Sequence, residues 1–180
     1  EEREEDEEEE CCFVCLEAGG ANNLGLLIGT GCACRGTAGK AHKECLLAHA
    51  LHKLRNGLFF REHDELNEYE HEELSSPSVV FICPTCHQRY QGPARLRLAQ
   101  SLHDEACKDP PPAFLRGHEP RLWAAGELGM ALYSEGDNDE ALPLLTEALN
   151  SCREIFGNEY KETVSAMNHL ATVHADIGNT

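Results

Sequence analysis

Apolar positions follow helical rules only in the second half of this chain. In "PARLRLAQSLHDEAC", Leu98, Leu102 and Ala106 recur at the spacing of one helix face, and Pro93 suits a helix start. The run "KDPPPAFLRGHEP" then breaks that helix and reads as a connector over residues 93–120 with it. From residue 121 the helical period returns. In "DNDEALPLLTEALNSCREIFGN", Leu142, Leu145 and Leu149 form an apolar stripe. Asp137 or Asn138 can cap its start, acids fill its first turn, and Gly157 ends it. Pro143 lies past the first turn, where it removes a backbone bond and should bend the helix.

The helical part repeats. Gly136 and Gly178 lie 42 residues apart, and at that offset Leu122 pairs with Val164, Ala124 with Ala166, Leu128 with Leu170, and Ala131 with Val173. Gly129 pairs with Ala171, small residues that let a neighbouring helix come close. This pattern over residues 121–180 resembles tetratricopeptide repeats, which usually run about 34 residues. The longer period, with "GDNDEALPLLTEAL" and "IFGNEYKETVSAMNHLA", is similar to the kinesin-light-chain type. Such repeats bury their faces by stacking, so one and a half of them imply a piece of a longer protein. The resemblance implies a helical surface for a protein substrate or scaffold partner.

Composition changes the picture at the other end. The formal charge is −17, of which "EEREEDEEEE" at residues 1–10 supplies −8. So pure an acidic run cannot bury apolar area and is expected to be a disordered tail. A second acidic run, "REHDELNEYEHEE", occupies residues 61–73. This balance excludes nucleic acid and anionic membrane surfaces as expected partners. No apolar run is long enough to span a bilayer.

Residues 11–92 hold eight of the ten cysteines. In order they give Cys12-x-x-Cys15, Cys32-x-Cys34, His42-x-x-Cys45 and Cys83-x-x-Cys86. A two-residue gap lets both side chains of a tight turn meet one ion, and zinc takes four such ligands in a tetrahedron. Four pairs therefore read as two closed structural sites, two Zn2+ in all, with no open position for chemistry on a substrate. Metal in place of disulfides implies a reducing compartment, cytoplasm or nucleus. "CACRGTAGKAHKEC" supplies two half-sites, with Gly36 and Gly39 allowing the chain to turn between them. Sequence alone leaves the pairing open, and Cys11 could replace Cys12. His49, His52, His63 and His71 form no tetrahedral set and are expected at the surface; Cys107 and Cys152 read as small core residues.

The ligand order and the wording of "CACRGTAGKAHKECL" and "FICPTCHQRYQG" resemble the RING-CH (RING-variant) zinc finger over residues 12–92. The PHD finger shares the ligand order, but it has wider spacing in the second pair and a tryptophan where this chain has "VFI". The RING-CH resemblance implies a small α+β finger with a cross-brace: Cys12, Cys15, His42 and Cys45 on one zinc, and Cys32, Cys34, Cys83 and Cys86 on the other. It further implies a ubiquitin ligase module that docks a ubiquitin-conjugating enzyme without a covalent intermediate. The matching docking positions are Val14, Leu46, Leu47 and Pro84. The tryptophan that family members commonly carry after the sixth ligand is replaced by "LLAHALHKL", and the next tryptophan is Trp123. A non-enzymatic adaptor, and a PHD-type histone reader, remain the alternatives.

Overall fold

A computed structural model describes residues 10–20, 25–57, 77–116 and 118–178. The acidic tail at residues 1–9, the acidic run at 61–73, and His63 and His71 lie outside the described residues. Within them the chain is mostly helical, with five helices and a small two-stranded sheet.

The order starts with β1 (Ile28–Gly29) and β2 (Lys40–Ala41), which pair antiparallel with Ile28 opposite Ala41. A 3-10 turn at Gly36–Gly39 joins them. Its glycines are needed: Gly36 has φ +58, and a Cβ on Gly39 would lie 2.8 Å from the Cys34 carbonyl oxygen. Helix α1 (Lys43–Gly57) follows at once. Its face at Leu46, Ala50 and Leu54 is buried, at i, i+4 and i+8. A second 3-10 turn, Pro77–Phe81, packs on α1, and Lys53 donates to the carbonyls of Val79 and Ile82 at its exit.

Helix α2 (Gly92–Ala106) begins with proline in its first turn and buries Leu98, Leu102 and Ala106, the face its spacing predicts. It packs against both α1 and α3 (His118–Ser134). Helices α4 (Asn138–Phe156) and α5 (Lys161–Ile177) complete the chain, with α4 packed on α3 and α5 on both. One continuous cluster of buried residues runs from Cys12 through Tyr90 and Leu98 to Leu128 and Ala141.

The turn between α3 and α4 is a Schellman cap. Asp137 N–H reaches the Leu132 carbonyl and Gly136 N–H the Tyr133 carbonyl, with Gly136 at φ +89. Asp137 is the cap residue of α4, though its side chain makes no capping bond, and Gly157 at φ +82 ends the helix. The helix runs through Pro143. Leu145 and Leu149 are buried, whereas Leu142 is half-buried.

Candidate metal centres

Two tight turns with one design carry the outer cysteine pairs. In the first, Leu16 N–H bonds to the Cys12 carbonyl, Cys12 N–H bonds to the Glu17 carbonyl, and Cys11 bridges Ala18. In the second, His87 N–H bonds to the Cys83 carbonyl, Cys83 N–H bonds to the Gln88 carbonyl, and Ile82 bridges Arg89. The offsets are identical. So is the backbone after the second cysteine, with Leu16 at φ 64 and His87 at φ 57, an uncommon region for residues with a Cβ. The bonded hairpin holds both thiols of a C-x-x-C pair toward one point.

The inner pairs come from the sheet and α1. Thr30, just after β1, packs its hydroxyl 3.2 Å from Cys32 Sγ and donates to the Gly39 carbonyl. His42 and Cys45 flank the start of α1. The fold brings the eight side chains into two groups, Cys12–Cys15–His42–Cys45 and Cys32–Cys34–Cys83–Cys86, with all ligand atoms of a group within 4.8 Å of one another. Each group takes one pair from a C-x-x-C turn and one from the segment 32–45, so the two alternate along the chain. Cys12, not Cys11, is the buried member at the start of the first group.

Each group could hold a metal ion. A zinc tetrahedron, with Zn–S near 2.3 Å and Zn–N near 2.0–2.1 Å, has S···S edges of roughly 3.8 Å and S···N edges of roughly 3.6 Å. Here Cys34 Sγ and Cys83 Sγ lie 3.7 Å apart, and His42 Nδ1 lies 3.4 Å from Cys15 Sγ and 3.8 Å from Cys45 Sγ. A disulfide would need about 2.05 Å, and all ten cysteines are free. Tetrahedral sulfur and nitrogen donors suit zinc or iron–sulfur centres, and not the oxygen-seeking Ca2+ or Mg2+.

The surroundings prepare these donors. His42 is fully buried, and its Nε2 lies 3.3 Å from the Ala18 carbonyl. A proton on Nε2 satisfies that carbonyl and leaves Nδ1 free as a ligand toward the sulfurs. Burial opposes ionising Cys12, yet the backbone N–H groups of Cys15, His42 and Val14 bring its thiol down to about 7. The Gln88 N–H leads in bringing Cys86 down to about 6. Cys34 and Cys45 are pushed up to about 12 by burial and by neighbouring thiols. Each group thus combines a thiol that ionises readily with one that resists, as expected where several thiols crowd together. Tyr90, fully buried beside the second group, has its phenol pushed up by burial and by the four thiols.

The four docking positions separate. Val14 is 38 % exposed and Pro84 is exposed, one on each knuckle turn. Leu46 is 2 % exposed and belongs to the core, so it cannot contribute to a surface patch; Leu47 is half-buried against that core. The reason is the α1 face described above: Leu46 heads the stripe with Ala50 and Leu54. Leu16, 75 % exposed on the first knuckle, was not singled out by the sequence. It follows a C-x-x-C pair on a turn with a positive φ, a conformation that its own residue type does not announce. Cys152 is buried as expected, but Cys107 is exposed at the end of α2, with its sulfur 3.6 Å from His103 Nε2. His52 is exposed and His49 half-buried.

In the helical part, α3 and α5 occupy equivalent stretches of the 42-residue period, with α4 between them. A Cβ on Gly129 would lie 2.5 Å from Leu145 Cδ2, so the small residue is what permits this approach of α3 and α4. Its counterpart Ala171 is exposed. Residues 120–180 match the family model for the tetratricopeptide repeat. Repeats of this kind present protein-interaction surfaces. No RING-CH family match is found. No curated protein matches the chain significantly, and no solved structure does. No described helix is long and apolar enough to cross a membrane.

Proposed function

We propose that this chain is a zinc-braced protein of the RING-CH ubiquitin-ligase type, whose finger docks a ubiquitin-conjugating enzyme while its kinesin-light-chain-type repeats hold a protein substrate. The observation that supports it best is the alternation of the two four-ligand groups along the chain, with exposed apolar residues on the knuckles. In this reading zinc fills both groups and serves structure alone, because four protein donors leave no open position. Val14, Leu16 and Pro84 are held rigidly by the turns that carry the ligands, which suits a docking surface. The step from fold to ligase rests on family analogy.

A non-enzymatic adaptor is the second reading. It is favoured by the burial of Leu46, which removes one of the four expected docking residues. Discharge of ubiquitin from a panel of charged conjugating enzymes separates the two. The ligase reading expects discharge by the wild type and its loss in Val14→Arg, with zinc content and melting temperature nearly unchanged. An unpaired charge buried in a docking patch costs at least several kcal/mol, and about 1.4 kcal/mol is tenfold in affinity. A wild type inactive with every enzyme supports the adaptor. Equal activity of wild type and Val14→Arg removes Val14 from the docking surface.

A further inference from the structure

A carboxylate on α3 gathers side chains from four parts of the molecule. The Glu127 side chain is 10 % exposed. Ser78 Oγ donates to its Oε1 at 2.5 Å, and Arg89 Nη2 donates to its Oε2 at 2.9 Å. Arg95 of α2 places a guanidinium nitrogen 3.9 Å from the same oxygen. One turn earlier on α3, Trp123 Nε1–H points to Ser78 Oγ at 3.5 Å, and its ring stands 6.4 Å from that of Phe81. The Arg89 guanidinium lies 5.6 Å over Phe81. From α5, His169 sits against Gly126, where a Cβ would come within 3.4 Å of Nδ1.

The two residues that bond Glu127 directly do not come from the helices. Ser78 lies in the 3-10 turn that leads into Cys83. Arg89 lies in the bridge with Ile82 that closes the Cys83–Cys86 knuckle. Their positions are therefore set by the hairpin whose thiols belong to the second ligand group. A carboxylate this buried is tolerable only while its partners stay in place. If the knuckle opened, Glu127 would keep the distant Arg95 guanidinium as its ion-pair partner, and α3 would carry a poorly compensated charge.

We propose that Glu127 is a latch through which the state of the Cys32–Cys34–Cys83–Cys86 group is transmitted to the tetratricopeptide repeat. Filling the group holds Ser78 and Arg89 on Glu127 and stabilises α3 and its neighbours; emptying it loosens the repeat. Because coupling is reciprocal, a partner that rigidifies the repeat tightens the knuckle. Glu127 acts here as a positioning residue, and the proposal holds whether the finger recruits a conjugating enzyme or serves an adaptor.

Hydrogen exchange followed by mass spectrometry on the full chain tests it. The amides of Ile82, Cys83, His87 and Tyr90 are hydrogen-bonded, so the 77–91 region reports on the knuckle. Glu127→Gln should raise exchange over 77–91 by about tenfold or more, although no residue there is changed, as well as within α3. A rise confined to α3 and its helical neighbours overturns the latch. Should Glu127→Gln not fold, Ser78→Ala is read in the mirror sense: faster exchange in α3 supports the latch, and none overturns it. A second arm removes metal from the wild type with a chelator while metal content is measured on the same sample. Faster exchange in α3 as metal leaves is expected; loss of protection over 77–91 with α3 unchanged overturns the proposal. Folded protein that carries no metal would refute the zinc reading, and the variants alone then decide the latch.

Discussion

Leu46 and Val14 are both aliphatic neighbours of a metal-ligand candidate, and the fold gives them opposite surroundings. Leu46 is walled into the core by the same α1 face that buries Ala50 and Leu54. Leu46→Ala should therefore cost about 2–5 kcal/mol in a denaturant titration, whereas Val14→Ala, 38 % exposed, should change stability by less than about 0.5 kcal/mol. The i, i+4, i+8 spacing at 46, 50 and 54 is readable in the sequence; assigning Leu46 by its place after a ligand overlooked it. His169 sets a second expectation. Burial holds its imidazole below the usual range, opposed by Glu127 and reinforced by Arg95 and Arg89. The folded state therefore binds fewer protons than the unfolded one between its lowered pKa and about 6.5. The stability His169 contributes is fully present above about pH 6.5 and is lost as pH falls toward the folded pKa. The melting temperature of the wild type should drop more between neutral and mildly acidic pH than that of His169→Asn. Parallel pH profiles would show that His169 carries no such linkage.

At the scale of elements, close approach explains more than side-chain chemistry does. Gly129 sits where Leu145 of α4 crosses α3, and a methyl group there meets Leu145 Cδ2 at 2.5 Å. Gly129→Ala should cost about 1–3 kcal/mol by overpacking, despite the better helix propensity of alanine. A calorimetric melting temperature equal to or above the wild type would refute that crossing. The small residue was legible because it stood at a fixed place in a 42-residue period. The capping of α4 was half legible: Gly136 and Asp137 mark the turn, but the bonds come from a Schellman cap and the Asp137 side chain stays out of it. The two knuckles were legible as C-x-x-C pairs. Their identical hydrogen bonds and the positive φ at Leu16 and His87 were not, since neither residue is one that normally announces a left-handed turn.

Across the whole molecule, the ligand-rich part and the helical part share one buried cluster, and α2 is a packed element and not a loose connector. That union was hidden from the sequence for a physical reason. Glu127 meets Ser78 and Arg89 across 49 and 38 residues of chain, and polar contacts at such separations have no period to betray them. Local pairs of metal donors do leave a trace, because a tight turn must bring two ligands to one ion. Which pair joins which is a matter of long-range folding, and the family resemblance, not the spacing, suggested the alternating arrangement. In the proposed reading, zinc in both groups would supply most of the folding energy of so small a finger, on the order of 10–16 kcal/mol per site in peptide systems at neutral pH. The count of metal ions is the most direct test of this account. Native mass spectrometry of the folded protein, purified without added chelator, should show two zinc ions per chain. One zinc, another metal, or none in well-folded protein would contradict it.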